Sequence, residues 1–101
     1  MKNIVLTTDG PYYFIYNVPD EIANNLLQYC LDFEKWFHYE PRFDYKRRNG
    51  YDPMDELINY LVTEVNADWK DQIEFVEVLD CRTCEDEEEL SKYENNPTFV
   101  F

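Results

Sequence analysis

Between positions 18 and 40 the residues Ile22, Leu26, Cys30, Phe33 and Phe37 recur at steps of four, four, three and four. That is the period of an α-helix with a single apolar stripe. Leu27, Tyr29 and Trp36 widen the stripe, and a face that broad has to be covered by another layer, most simply a sheet. Pro19 suits a first helical turn, and Asp20 and Glu21 stand beside the partial positive charge of a helix start.

The flanking segments supply the strands. "NIVLTT" (residues 3–8) and "YYFIYNV" (residues 12–18) are rich in β-branched and aromatic residues, and "DGP" between them predicts a tight turn and a hairpin. Residues 40–52 keep no period and contain Pro41 and Asn49-Gly50, which predicts a loop with a short extended piece over 43–46. A second helix follows in "DPMDELINYLVTEVN", with Asp52 as N-cap, Pro53 at the first position and Asp55 three beyond the cap. Its apolar face is Met54, Leu57, Ile58, Leu61, Val62 and Val65, with Tyr60 and Glu64 off it. In "QIEFVEVLD" (residues 72–80) Ile73 and Phe75 alternate with acids, whereas Val76, Val78 and Leu79 break the parity, as a central strand or a bulge would. Residues 85–93 predict a short helix held by Leu90 and Tyr93, and "TFVF" a last strand. The expected fold is one α+β domain over residues 1–101, with two helices packed on one face of a small, mostly antiparallel sheet of about four strands.

Composition narrows the function classes. Hydrophobic residues make up 45% of the chain and aromatics 18%, too much of both for a disordered acidic chain. Two glycines, Gly10 and Gly50, leave no glycine-rich phosphate loop or dinucleotide fingerprint. The charge is −13, from 22 acidic and 9 basic residues, a field that repels phosphate backbones and anionic membranes and attracts basic proteins. Neither nucleic acid nor membrane is an expected direct partner. The start "MKNIVLTTDG" has one Lys and a three-residue apolar run, unlike a signal peptide, so a cytoplasmic location is expected. Three cysteines fit reduced thiols better than a disulfide framework.

Cys81 and Cys84 form the chain's one C-x-x-C pair, and a small metal-binding or housekeeping domain built on it is the alternative reading. Four soft ligands must close a zinc tetrahedron. The other candidates are Cys30, in the core stripe, and His38, at the end of that helix. Redox use is disfavoured because the acids that follow the pair raise thiol pKa. Asp44, Asp52, Asp55 and Glu56 cluster in sequence as a conceivable cation site, but helix capping accounts for most of them. With one His and no Ser-His or Cys-His context, no catalytic residue, cofactor or metal is assigned. "RFDYKRR" (residues 42–48) interleaves aromatics and cations, yet its net +3 sits in a strongly negative field, which points to pairing with acids.

The acidic stretch is the candidate binding surface. It comprises Glu74, Glu77, Asp80, Glu85, Asp86, Glu87, Glu88, Glu89 and Glu94, against Arg82 and Lys92, with Tyr93 among them as an anchoring aromatic. Carboxylates a few ångström apart approach the charge density of duplex DNA, about one charge per 1.7 Å of axis. Tyr12, Tyr16, Tyr39, Tyr45, Tyr51, Tyr60 and Tyr93 are expected outside, since tyrosines this numerous exceed the needs of the core. In size, charge and compactness the chain looks like acidic inhibitors of CRISPR or restriction enzymes and like nuclease immunity proteins, some of which mimic DNA. The expectation is therefore a non-enzymatic inhibitor, monomeric or a small homo-oligomer, that binds the basic surface of a nucleic-acid-handling protein.

Overall fold

The computed structural model describes all 101 residues, Met1–Phe101. Strands β1 (Lys2–Thr7) and β2 (Tyr12–Val18) pair antiparallel, from Lys2 opposite Val18 to Thr7 opposite Tyr13. Gly10 takes φ +65° in the turn, a conformation that residues with a Cβ rarely adopt. Helices α1 (Asp20–Asn24), α2 (Leu26–Tyr39), α3 (Asp44–Asn49) and α4 (Pro53–Tyr60) follow, then strand β3 (Glu74–Asp80), helix α5 (Cys84–Ser91) and strand β4 (Thr98–Val100). The sheet runs β3-β2-β1-β4, and only β4 is parallel to its neighbour. This is the expected α+β fold.

Period-two alternation sends the two sides of the hairpin into separate cores. Ile4, Leu6, Tyr16 and Val18 meet the buried residues of the helical layer: Ile22, Leu26, Cys30, Phe33 and Phe37 from α1 and α2, and Met54 and Leu57 from α4. On the other face Val5, Ile15 and Leu79 pack against Leu90 of α5 and the following Tyr93. The sheet thus carries a third helical contact on the face opposite α2 and α4.

Three local expectations are corrected, and for β3 one of two alternatives is selected. The first helix is broken at Asn25 (φ −127°, ψ 26°), whose side-chain amide donates to the Glu21 carbonyl at 2.9 Å. Asparagine competes with the helical backbone in this way. The stripe survives, but Leu27 is 64% exposed and does not widen it. Residues 41–49 form a 3₁₀ turn (Pro41–Phe43) and α3, with no extended piece. The cause is tertiary: Phe43 stacks on Phe37 at 4.8 Å, and the Arg47 guanidinium donates to the carbonyls of Phe37 and Glu40 at the end of α2. Beyond Tyr60, residues Leu61–Val65 wind as a π-helical turn closed by Asn66 N–H to Leu61 O at 2.9 Å, leaving Val65 exposed. Lastly, β3 is an edge strand. Its parity break is a bulge, since Ile15 pairs with Glu77 and Tyr16 with Phe75, leaving Val76 as the extra residue.

Phe37 is fully buried among Phe33, Phe43 and Tyr51. Phe37→Ala should cost about 3–5 kcal/mol, a large share of the roughly 5–15 kcal/mol that holds a domain of this size. The check is the urea midpoint followed by circular dichroism.

Candidate interaction surface

The nine acids of the predicted surface divide into two groups. In one, the carboxylates are bonded within the fold, and those of Asp86 and Glu77 join the α5 region to β3. Thr83 caps the helix, its hydroxyl accepting from Asp86 N–H at 3.2 Å and donating to the Asp80 carbonyl at 3.2 Å. The Asp86 carboxylate reaches back to accept from Asp80 N–H at 2.8 Å, so it terminates the open edge of β3. Asp80 receives the Arg82 guanidinium at 2.7 Å and its backbone N–H at 3.0 Å, bonds that hold its carboxyl below the usual carboxylate range. Arg82 also donates to the Tyr12 hydroxyl at 2.8 Å. Glu77 accepts from the Tyr93 hydroxyl at 2.6 Å; that bond first, then burial, pushes the phenol up to about 12. Glu89 is paired with Lys92 at 2.8 Å.

In the other group are Glu74 on β3, Glu85, Glu87 and Glu88 on α5, and Glu94. All five are exposed, and no intramolecular cation reaches them. Because α5 is tied down by Asp86, Thr83 and Tyr93, these free carboxylates stand on a fixed support.

The structure adds a neighbour that the sequence reading missed. Val76, Val78 and Phe75 of β3 are 44%, 46% and 56% exposed. Phe75 shares the face of its partner Tyr16, but a groove separates it from α4, so that face stays open to solvent there. Beside it, between β2–β3 and α4, lies a groove of about 630 Å³ with an apolar floor of Phe14, Tyr16, Ile58, Val62 and Phe75. Asp52, Asp55 and Glu56 form its rim. Asp52 caps α4, accepting from Met54 N–H at 3.0 Å, and Glu56 is neutralised by Lys46 at 2.6 Å. Asp55 has no cation; local desolvation, then the charges of Asp52 and Glu56, raise its carboxyl above the usual range. Burial, then Asp55 and Asp52, pushes the Tyr16 phenol up to about 12.

No family model, curated protein or solved structure matches this chain. The chemistry of the surface therefore rests on its own residues.

Cys81 and Cys84 carry free thiols with no convergent group of three His, Cys, Asp or Glu side chains to hold a metal. Burial, then Glu87, Asp80 and Asp86, raises the Cys81 thiol. Cys30 is fully buried, and burial pushes its thiol up to about 12. His38 is exposed on α2. The basic island stays at the surface but is largely paired with the protein's own acids: Arg42 pairs with Glu64 at 2.8 Å over the Trp36 and Phe43 rings, Lys46 with Glu56, and Arg47 with Asp44, while Arg48 is exposed without an ion pair. Of the seven tyrosines expected outside, Tyr12, Tyr39, Tyr45 and Tyr51 are exposed. Tyr16 is buried under the sheet's helical layer, and Tyr60 and Tyr93 are half-buried, Tyr60 because it packs against Phe33 and Trp36.

Two predictions follow from these contacts. Tyr93→Phe removes the bond to Glu77 and should cost about 1–2 kcal/mol, with amide hydrogen exchange accelerating first over α5. For Asp55 the raised folded-state pKa means that ionisation opposes folding at neutral pH, a penalty absent below the unfolded pKa of about 3.9. Asp55→Asn should therefore melt higher than the parent at pH 7, and the difference should close below about pH 3.

Proposed function

We propose that this protein is a non-enzymatic, cytoplasmic binding protein that covers the basic surface of a nucleic-acid-handling protein and blocks it. The observation that supports this reading most directly is the immobilised α5, which presents Glu85, Glu87 and Glu88 without internal cations. Uncompensated carboxylates on a helix whose backbone is already fixed cost little backbone freedom on binding, and they steer a cationic partner into place. Five of the nine basic side chains, Arg42, Lys46, Arg47, Arg82 and Lys92, are already paired with the protein's own acids. The negative field is thereby left to act outward. No helix is long and apolar enough to cross a membrane, in keeping with a partner met in solution. Inhibitors of CRISPR or restriction enzymes and nuclease immunity proteins are the classes this chemistry fits.

The test is affinity capture from cell lysate at two ionic strengths, with the parent and with the Glu85→Lys, Glu87→Lys, Glu88→Lys triple variant. The parent should retain nucleic-acid enzymes at about 0.05 M salt and release most of them by about 0.5 M, where the Debye length is shorter than a side chain. The variant should retain few. Retention indifferent to both salt and charge reversal, or a captured set without nucleic-acid enzymes, would refute the proposal.

A further inference from the structure

The open edge of β3 and the groove beside it meet at Phe75. Backbone directions along β3 can be read from two bonds: Cys81 N–H points inward, to Pro11 O of the neighbouring chain segment at 2.9 Å, and Asp80 N–H points outward, to Asp86 at 2.8 Å. Strand alternation then places the Val78 N–H and carbonyl on the outer edge as well, with no strand to receive them. Asp86 closes this edge at its upper end and the Val76 bulge kinks it lower down, so the free stretch is short, from Val78 to Phe75. Edge strands are ordinarily defended by charged side chains. β3 has such charges in Glu74, Glu77 and Asp80, yet it also exposes Phe75, Val76 and Val78, beside a groove large enough for one or two side chains.

We propose that the β3 edge and the groove between β2–β3 and α4 seat a short extended segment of a partner protein in which cationic and apolar residues alternate. The segment adds to β3 through the outward polar groups of Val78. Its apolar side chains enter the groove over Phe14, Ile58 and Phe75, and a cationic side chain reaches Asp52 and Asp55 at the rim. Strand addition of this kind draws affinity from main-chain bonds and specificity from pockets for alternate side chains.

Charge decides the occupant. The groove rim is acidic on the α4 side, and α5 carries free acids on the other face of the same strand. A second copy, itself at −13, would bring like charges together on both sides, whereas a cationic segment meets opposite charge on both. The crowding of Asp52 and Asp55, which burdens the free protein, is what a bound guanidinium or ammonium group would relieve. The proposal rests on the reading above only in taking the partner to be basic; it adds where and in what conformation that partner is held.

The test uses end-blocked six-residue peptides alternating arginine with valine, and the glutamate-valine counterpart, titrated into the full chain and followed by amide and methyl NMR shifts. The arginine peptide should bind at least about tenfold more tightly, moving the amides of Phe75 to Val78 and the methyl groups of Ile58 and Val62. Phe75→Ala and the Asp52→Asn, Asp55→Asn double variant should each weaken it about tenfold. Val78→Pro, which removes only an outward N–H and is tolerated at an edge, should do the same with the amide spectrum otherwise preserved. No binding, or equal binding of the glutamate peptide, overturns the proposal. Shifts confined to α5 and unaffected by Phe75→Ala also overturn this seat while leaving the acidic-surface reading intact. Self-association in light scattering that Phe75→Ala abolishes would make a second copy the occupant and overturn it too.

Discussion

Strands β1 and β2 carry apolar side chains on both sides, and a two-stranded ribbon cannot bury either side by itself. Ile4, Leu6, Tyr16 and Val18 require the helical layer of α1, α2 and α4; Val5 and Ile15 require α5. Both neighbouring strands are consequences of the same need. Parallel β4 is brought in by Val5 N–H to Pro97 O and Phe101 N–H to Thr7 O, and antiparallel β3 adds Leu79 to the smaller core. The larger core is dense in aromatics, with Phe33 against Phe37 and Tyr60 and Phe37 against Phe43, and it supplies most of the stability. The smaller core rests on a few side chains, and so α5 needs its polar ties.

Those ties explain why so acidic a chain folds compactly. Carboxylates close to one another would be repulsive unless some were drawn into charge-assisted bonds. Asp80, Asp86 and Glu77 each accept such a bond from a group fixed elsewhere in the fold: Arg82, the Asp80 N–H and Tyr93. The acids left over are those whose positions face solvent. A division of labour results along one short stretch of chain, with structural carboxylates fixing the backbone and unpaired ones carried on it.

Wherever the pattern is local, the fold was legible in the residues. The hairpin, the stripe of Ile22 to Phe37, the Asp52 cap with Pro53 behind it, and the short acidic helix all follow from spacing within one segment. Residues 41–49 were not legible, because α3 exists through Arg47 reaching the carbonyls of α2 and Phe43 stacking on Phe37. Leu27 was misplaced because a side-chain bond at Asn25 interrupts a helix that periodicity alone continues. On the candidate surface, nine acids could be named from composition, but not which of them bond Arg82, Tyr93 or a backbone N–H.

The amino-acid order alone determined that this chain has a hairpin and amphipathic helical segments, with an apolar face on each, and a large negative charge, because side-chain period and formal charge are properties of neighbours in the chain. Only the tertiary structure decided that β3 lies at an edge, that Phe75 borders an acidic groove, and that Glu85, Glu87 and Glu88 remain unpaired. Exposure and pairing are set by groups remote in sequence, as when Arg82 meets Tyr12 across 70 positions, and no local pattern encodes a contact of that range.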